Sequence, residues 1–179
     1  STETKKDSII SKVAFAISDK KKDNQANSGP LSDYINKDFP KFNLKTLSGE
    51  DFSSEQLIGK PTLINFWLTS CAPCIDEIPI LNRIAEKYSN DFNFISITFE
   101  DEQDVANFLK KHPYDFKHLV GAKKFTKSIG ITSYPMNVFL DRKGVLRTVK
   151  GGIPYQSLEG GKLIMGEGNE IIEIIEKLK

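Results

Sequence analysis

Cys71 and Cys74 are the only cysteines in this 179-residue chain, and two residues separate them. Sulfurs at that spacing can cycle between dithiol and disulfide, and one can displace a partner bonded to the other. As a staple the pair does little. Closing a four-residue loop is worth about 2 kcal/mol in the loop-entropy model, against about 3 for fifteen residues. A structural framework would call for more cysteines, more widely spaced. Zinc takes four protein ligands in a structural site and three in a catalytic one. The other candidate ligands, His112, His118 and the carboxylates, show no paired spacing. The expectation is therefore redox chemistry with no metal and no cofactor, because the two sulfurs carry the reaction themselves.

Such a pair has to be positioned. Residues 61–68 are almost continuously apolar and read as a strand buried on both faces. Residues 74–88 follow, with Ile75, Ile78, Leu81, Ile84, Ala85 and Tyr88 at helical spacing. Ser70-Cys71-Ala72-Pro73-Cys74 thus sits where a buried strand hands over to a helix. At the helix start, unpaired backbone N–H groups and the helix dipole favour a negative sulfur, and the thiolate is the nucleophile. Pro73 suits a first turn, where its missing N–H costs little. Cys71 is the expected exposed attacker and Cys74, one turn on, the buried resolver. Pro79 should kink the helix by removing a bond to Ile75.

Several neighbours allow two readings. Glu77 lies three residues past Cys74, on an adjoining helix face; by itself it can be a solvated acid favoured by the helix start. Asp76 points elsewhere and is the simpler solvated acid. Asn65 is polar inside an apolar strand, either satisfied by local hydrogen bonds or functional. Trp67 can line the rim of the site or pack in the core. Tyr134-Pro135, by residue type alone, opens the strand at Met136. His112 and His118 are isolated and read as solvated loop residues.

The remaining elements surround that junction. Residues 42–47 alternate as a half-buried strand does, followed by a turn at Ser48-Gly49-Glu50 and a short helix opened by Ser53-Ser54. Residues 92–99 form a second buried strand and 104–111 a second helix. Residues 116–120 are a short strand or extended link, and 123–129 one or two helical turns. Residues 136–140 and 145–149 form a hairpin across Asp141-Arg142-Lys143-Gly144. Residues 151–168 are a long glycine-rich connection, and Asn169 caps a last helix bearing Ile171, Ile172, Ile175 and Leu178. The order βαβα followed by ββα predicts an α/β fold: a mixed central sheet with helices on both faces.

Composition bounds the rest. Net charge is +1, which gives no general argument for nucleic-acid or anionic-membrane binding. No apolar run reaches the roughly 18–20 residues of a membrane span. Residues 1–37 are polar and Lys-rich and read as an N-terminal tail or tether, with the domain over 38–179. Within the tail, residues 8–17 could form a short amphipathic helix. The first residues lack the basic, apolar and small-residue pattern of a secretory leader, which leaves open a chain without one and a mature, trimmed form. No phosphate-cradling loop is present, since Glu159-Gly160-Gly161-Lys162 has neither the spacing nor the Ser/Thr.

The run Asn65-Phe66-Trp67-Leu68-Thr69-Ser70-Cys71-Ala72-Pro73-Cys74-Ile75-Asp76-Glu77-Ile78-Pro79 resembles the active-site segment of thioredoxin-like proteins. It looks most like the TlpA/ResA branch of bacterial thiol–disulfide oxidoreductases, which work outside the cytoplasm. Phe39-Pro40-Lys41-Phe42-Asn43-Leu44, Leu47-Ser48-Gly49 and Gly59-Lys60-Pro61 are similar to that branch as well, so the resemblance covers roughly residues 38–152. It implies a thioredoxin fold with a β-hairpin near the N-terminus. It also implies exchange with disulfide-containing or dithiol protein substrates and a redox partner protein. The implied setting is a monomer in the periplasm or cell envelope, membrane-anchored through its N-terminus. Cys71, Cys74 and Glu77 become the catalytic set, the glutamate tuning cysteine protonation. Trp67, Ala72, Pro73, Tyr134 and Pro135 become the substrate surface, with Tyr134-Pro135 as the family's cis-proline site. Thioredoxins proper carry a titrating aspartate at Asn65, so the asparagine shifts that duty to Glu77. Ser70 departs from the bulky aromatic of many relatives, which makes the surface beside Cys71 more open and puts the usual substrate class in question. The rivals are a thiol peroxidase of related fold, a copper chaperone, and a binding module with an inert disulfide.

Overall fold

In the computed structural model, residues 29–179 are described; the amphipathic segment 8–17 and most of the expected tail lie outside the described residues. Residues Tyr34–Lys179 form one compact unit; of the other, Ser1–Asp33, the described part is a short turn in which Ser32 N–H donates to the Gly29 carbonyl.

The frame is a seven-stranded sheet in the order β2-β1-β5-β4-β3-β6-β7. Its strands are β1 (Asn43–Thr46), β2 (Asp51–Ser53), β3 (Thr62–Phe66), β4 (Asn93–Ile97), β5 (Lys117–Val120), β6 (Met136–Leu140) and β7 (Leu146–Lys150). Every residue of β3 and β6 is buried. Since successive side chains in a strand face opposite ways, both sheet faces are covered there. Helices α1 (Ala72–Lys87), α2 (Glu102–Leu109), α3 (Lys123–Ser128) and α4 (Asn169–Leu178) supply the cover. β3, β4 and β5 run parallel, joined through α1 and α2. β6 joins β3 antiparallel, in a register that sets Asn65 opposite Asn137.

The sheet is mixed at both edges rather than at one. The β6–β7 hairpin closes one side. On the other, β1 pairs antiparallel with β5 as well as with β2. Segment 116–120, read as strand or link, is therefore a paired strand. The short helix after β2 is a 3-10 turn, Ser54–Leu57, capped through Ser53. Residues 151–168 are more than a connection. They contain a separate two-stranded hairpin, β8 (Tyr155–Ser157) with β9 (Leu163–Met165), turning through Gly160 and Gly161, both at positive φ. Asn169 is the first residue of α4 rather than its cap; the capping position is Gly168, at φ 76°.

His118 corrects a second expectation. It lies in β5, buried, with its ring nitrogens on Ser96 Oγ and the Tyr114 carbonyl. Apolar neighbours on both sides make this a core histidine, and burial pulls its pKa down. His112 is exposed and stacks on Phe108.

Candidate active site

Cys71 occupies the capping position of α1 in extended conformation, φ −93° and ψ 106°. Its Sγ accepts a hydrogen bond from Cys74 N–H at 3.3 Å, and the two sulfurs form a disulfide. The helix start thus directs a free backbone donor at the first sulfur, which stabilises negative charge there once the bond is reduced. Cys71 is half-buried and Cys74 is 2% exposed. Ala72 and Pro73 between them are exposed. The strand-to-helix loop is pinned by Glu100, whose carboxylate accepts from Thr69 N–H at 2.8 Å and Thr69 Oγ1 at 2.6 Å.

Glu77 is on the buried face of α1 with Cys74, Ile78 and Leu81, and its side chain is fully covered. Two donors reach its carboxylate. Asn65 Nδ2 lies 2.9 Å from Oε1, and Ile153 N–H 3.0 Å from Oε2. Burial pushes its pKa up from the ordinary carboxylate range to about 7, against the lowering pull of Ile153 N–H, Asn65 and Asn137. The solvated-acid reading is thereby excluded for Glu77. It fits Asp76 instead, which is exposed and accepts from the Tyr155 hydroxyl of the β8–β9 hairpin.

A polar chain runs behind Glu77. Asn137 Nδ2 donates to the Gly151 carbonyl at 3.1 Å, Asn65 Nδ2 donates to Asn137 Oδ1 at 2.9 Å, and the Tyr114 hydroxyl donates to Asn65 Oδ1 at 2.8 Å. Asn65, Asn137 and Tyr114 are all buried. Reading the sequence missed Asn137, Tyr114, Glu100, Gly152 and Ile153. Asn137 carried the same signal as Asn65, an amide in an apolar strand. The others gave none, because their roles depend on long-range packing.

The Tyr134–Pro135 peptide bond is cis, and both residues are half-buried. Tyr134 stacks edge-on with Phe99, itself 41% exposed, at 6.3 Å. Gly152 wedges between the Pro135 ring and the acid. A Cβ there would stand 2.7 Å from Pro135 Cγ and 3.4 Å from Glu77 Oε2. Trp67 does not line the rim. Its ring is fully buried, 5.2 Å from those of Phe108 and Tyr114, so it is removed from the substrate surface. It lies one residue past the end of β3, where the rings of Phe108, Tyr114 and His118 pack around it. Its Nε1–H has no hydrogen-bond partner among the described residues.

Among the described residues no group of three or more His, Cys, Asp or Glu side chains is placed to hold a metal ion. Nor is any described helix long and apolar enough to cross a membrane.

The sequence profile of the Redoxin family matches residues 35–158. The thiol–disulfide oxidoreductase ResA of Bacillus cereus is 35% identical over 132 residues, 70% of this chain and 75% of that protein. The thioredoxin-like protein YneN of Bacillus subtilis (strain 168) is 33% identical over 117 residues, 63% and 69% of the two chains. The thiol:disulfide interchange protein DsbE of Pseudomonas fluorescens biotype C is 33% identical over 125 residues, 66% and 67%. Among solved structures, a putative DsbE from Chlorobium tepidum superimposes with a TM-score of 0.63 at 20% identity, covering 77% of this chain and 92% of that one. That last likeness establishes the thioredoxin fold.

Proposed function

This chain belongs to the Redoxin family and is a thiol–disulfide oxidoreductase, and we propose that it reduces disulfides of protein substrates in the cell envelope, with Cys71 attacking and Cys74 resolving. The observation that carries the assignment is the asymmetry of the bonded pair: Cys71 reachable at the helix start, Cys74 covered.

In the reduced protein, the Cys71 thiolate attacks one sulfur of a substrate disulfide. The substrate S–S bond breaks, its other sulfur leaves as thiolate and takes up a proton, and a mixed disulfide forms on Cys71. Cys74 then has to lose its proton in a covered site. Glu77, one helical turn away with a pKa near 7, is ionised often enough at neutral pH to accept it. The Cys74 thiolate attacks Cys71 Sγ and expels the second substrate sulfur. Two electrons have passed to the substrate, and the protein is left with the Cys71–Cys74 disulfide seen here. A redox partner protein returns it to the dithiol.

Ala72, Pro73, Tyr134 and Pro135 form the proposed contact surface, since the first two are exposed beside Cys71 and the others half-exposed. The domain boundary near residue 38, the monomeric state, the envelope location and a membrane tether through the N-terminus follow the resemblance to the TlpA/ResA branch.

The test is trapping. Cys74→Ser, reduced and exposed to oxidised glutathione or a substrate protein, should accumulate a stable mixed disulfide on Cys71, located by peptide mass spectrometry. Equal trapping by Cys71→Ser through Cys74 would reverse the roles.

A further inference from the structure

The polar chain behind Glu77 has a direction, and that direction is set at its two ends. At one end is the Gly151 carbonyl, which can only accept, so the Asn137 group facing it is the amide NH2. Asn137 therefore turns its oxygen to Asn65, and the Asn65 group facing that oxygen is again NH2. The second hydrogen of the same NH2 is the one that meets Glu77 Oε1. Asn65 Oδ1 is left pointing at Tyr114, whose hydroxyl must be the donor. Tyr114 is 5% exposed, and its ring is held among Trp67, Phe116 and His118 at 5.2, 4.8 and 4.9 Å. Burial, with the nearby Glu77 charge, pushes its pKa well up, so it keeps its proton and remains a donor.

Resting on the reading of Glu77 as the proton acceptor for Cys74, we infer that Tyr114 is a positioning residue for that acid: its hydroxyl polarises the Asn65 amide, whose hydrogens face the carboxylate. A carboxylate facing an NH2 group is favoured in its ionised form. Remove the hydroxyl, and Asn65 Oδ1 becomes a buried acceptor without a donor. Asn137, itself fixed by the Gly151 carbonyl, keeps the amide oriented, but without the phenolic donor the amide is less polarised and its NH2 is a weaker partner for the carboxylate. The acid is held protonated to higher pH, and fewer molecules carry a base for the resolving step.

The other groups around Glu77 do not substitute for this control. On its own helix stand Cys71, Cys74 and the exposed Asp76; the Tyr155 hydroxyl of the β8–β9 hairpin is taken up by Asp76, and the His118 ring packs on Tyr114. None of the ion pairs among the described residues includes Glu77.

The experiment uses the full chain with Tyr114→Phe, which keeps the ring. Two readouts are taken against pH: the Glu77 side-chain carboxyl signal by 13C NMR, and the rate at which Cys74 resolves the glutathione adduct on Cys71 by stopped flow. The expected result is an upward shift of the Glu77 titration and of the acid limb of resolution by half a unit or more. That is a loss of about threefold in resolving rate below the limb, with the pH dependence of Cys71 attack unmoved. An unshifted Glu77 titration overturns the inference, even if the variant is less stable. Should Tyr114→Phe not fold, 3-fluorotyrosine at position 114 is a stronger donor on the same ring; Glu77 should then titrate lower, and no movement overturns the inference. Glu77→Gln separates the two ideas. If it leaves the acid limb in place, the proton-acceptor reading fails, and the NMR titration alone decides for or against Tyr114.

Discussion

Glu77 is the residue on which burial and chemistry disagree most. Its fully covered carboxyl titrates near 7 rather than at the usual 4.5. Between those values the folded protein holds a proton that the unfolded chain releases, so stability falls as pH rises through that window. The loss is about 3 kcal/mol at 1.4 kcal/mol per pKa unit. In the oxidised protein, where the cysteines do not titrate, Glu77→Gln should therefore gain about 3 kcal/mol on wild type between pH 4 and pH 8. Denaturant unfolding at the two pH values measures it, and parallel curves would show that Glu77 is not held protonated. In the reduced protein the same substitution removes a negative charge from beside the thiols. The apparent thiol pKa should fall, the pair should become more oxidising, and resolution at neutral pH should slow. Thiolate absorbance against pH and mixed-disulfide decay are the measurements. At this scale the sequence showed the cysteines plainly, because type and spacing alone carry their chemistry. Glu77 was readable only as one of two options. Its burial depends on Ile153, seventy-six positions away, and no local pattern encodes that contact. Trp67 and His118 were misjudged for the same reason. Only the assembled sheet buries them.

At the scale of elements, the site is a meeting of three: the start of α1, the cis-proline loop before β6, and the segment after β7. Gly152 joins the last two, leaving no room for a Cβ beside the Pro135 ring and close to the Glu77 carboxylate. Gly152→Ala should cost about 1–3 kcal/mol through overpacking and should slow resolution of the mixed disulfide, because the loop and Ile153 N–H must move together. Thermal unfolding and the resolution rate check this; a variant equal to wild type in both would separate Gly152 from the site. The β8–β9 hairpin touches α1 through the Tyr155–Asp76 hydrogen bond, whose side chains are exposed. Tyr155→Phe should therefore change stability by less than about 0.5 kcal/mol. The hairpin's signal was present: two short apolar-containing runs flanking Gly160-Gly161. It was masked by the density of glycine and by strands of only three residues each.

For the whole molecule, hydrophobic periodicity foretold the buried parallel strands and the helices between them, because each of those signals is local. The attachment of β1 to β5 at the far edge was not foretold. Strand neighbours distant in sequence are chosen by the completed sheet, not by either segment alone. The assembled fold holds a buried acid one turn from Cys74. Repulsion from that acid disfavours the thiolate, and so disfavours the reduced state relative to a pair without it. Glu77 should therefore draw the pair toward the reducing side of its fold, where potentials run from about −270 to −120 mV. A glutathione redox titration, read by the thiol state of Cys71 and Cys74, tests this most directly. The predicted result is one reversible two-electron transition with a midpoint below about −200 mV, absent from Cys71→Ser and Cys74→Ser. A pair that stays oxidised throughout, or a midpoint near about −120 mV, would contradict it.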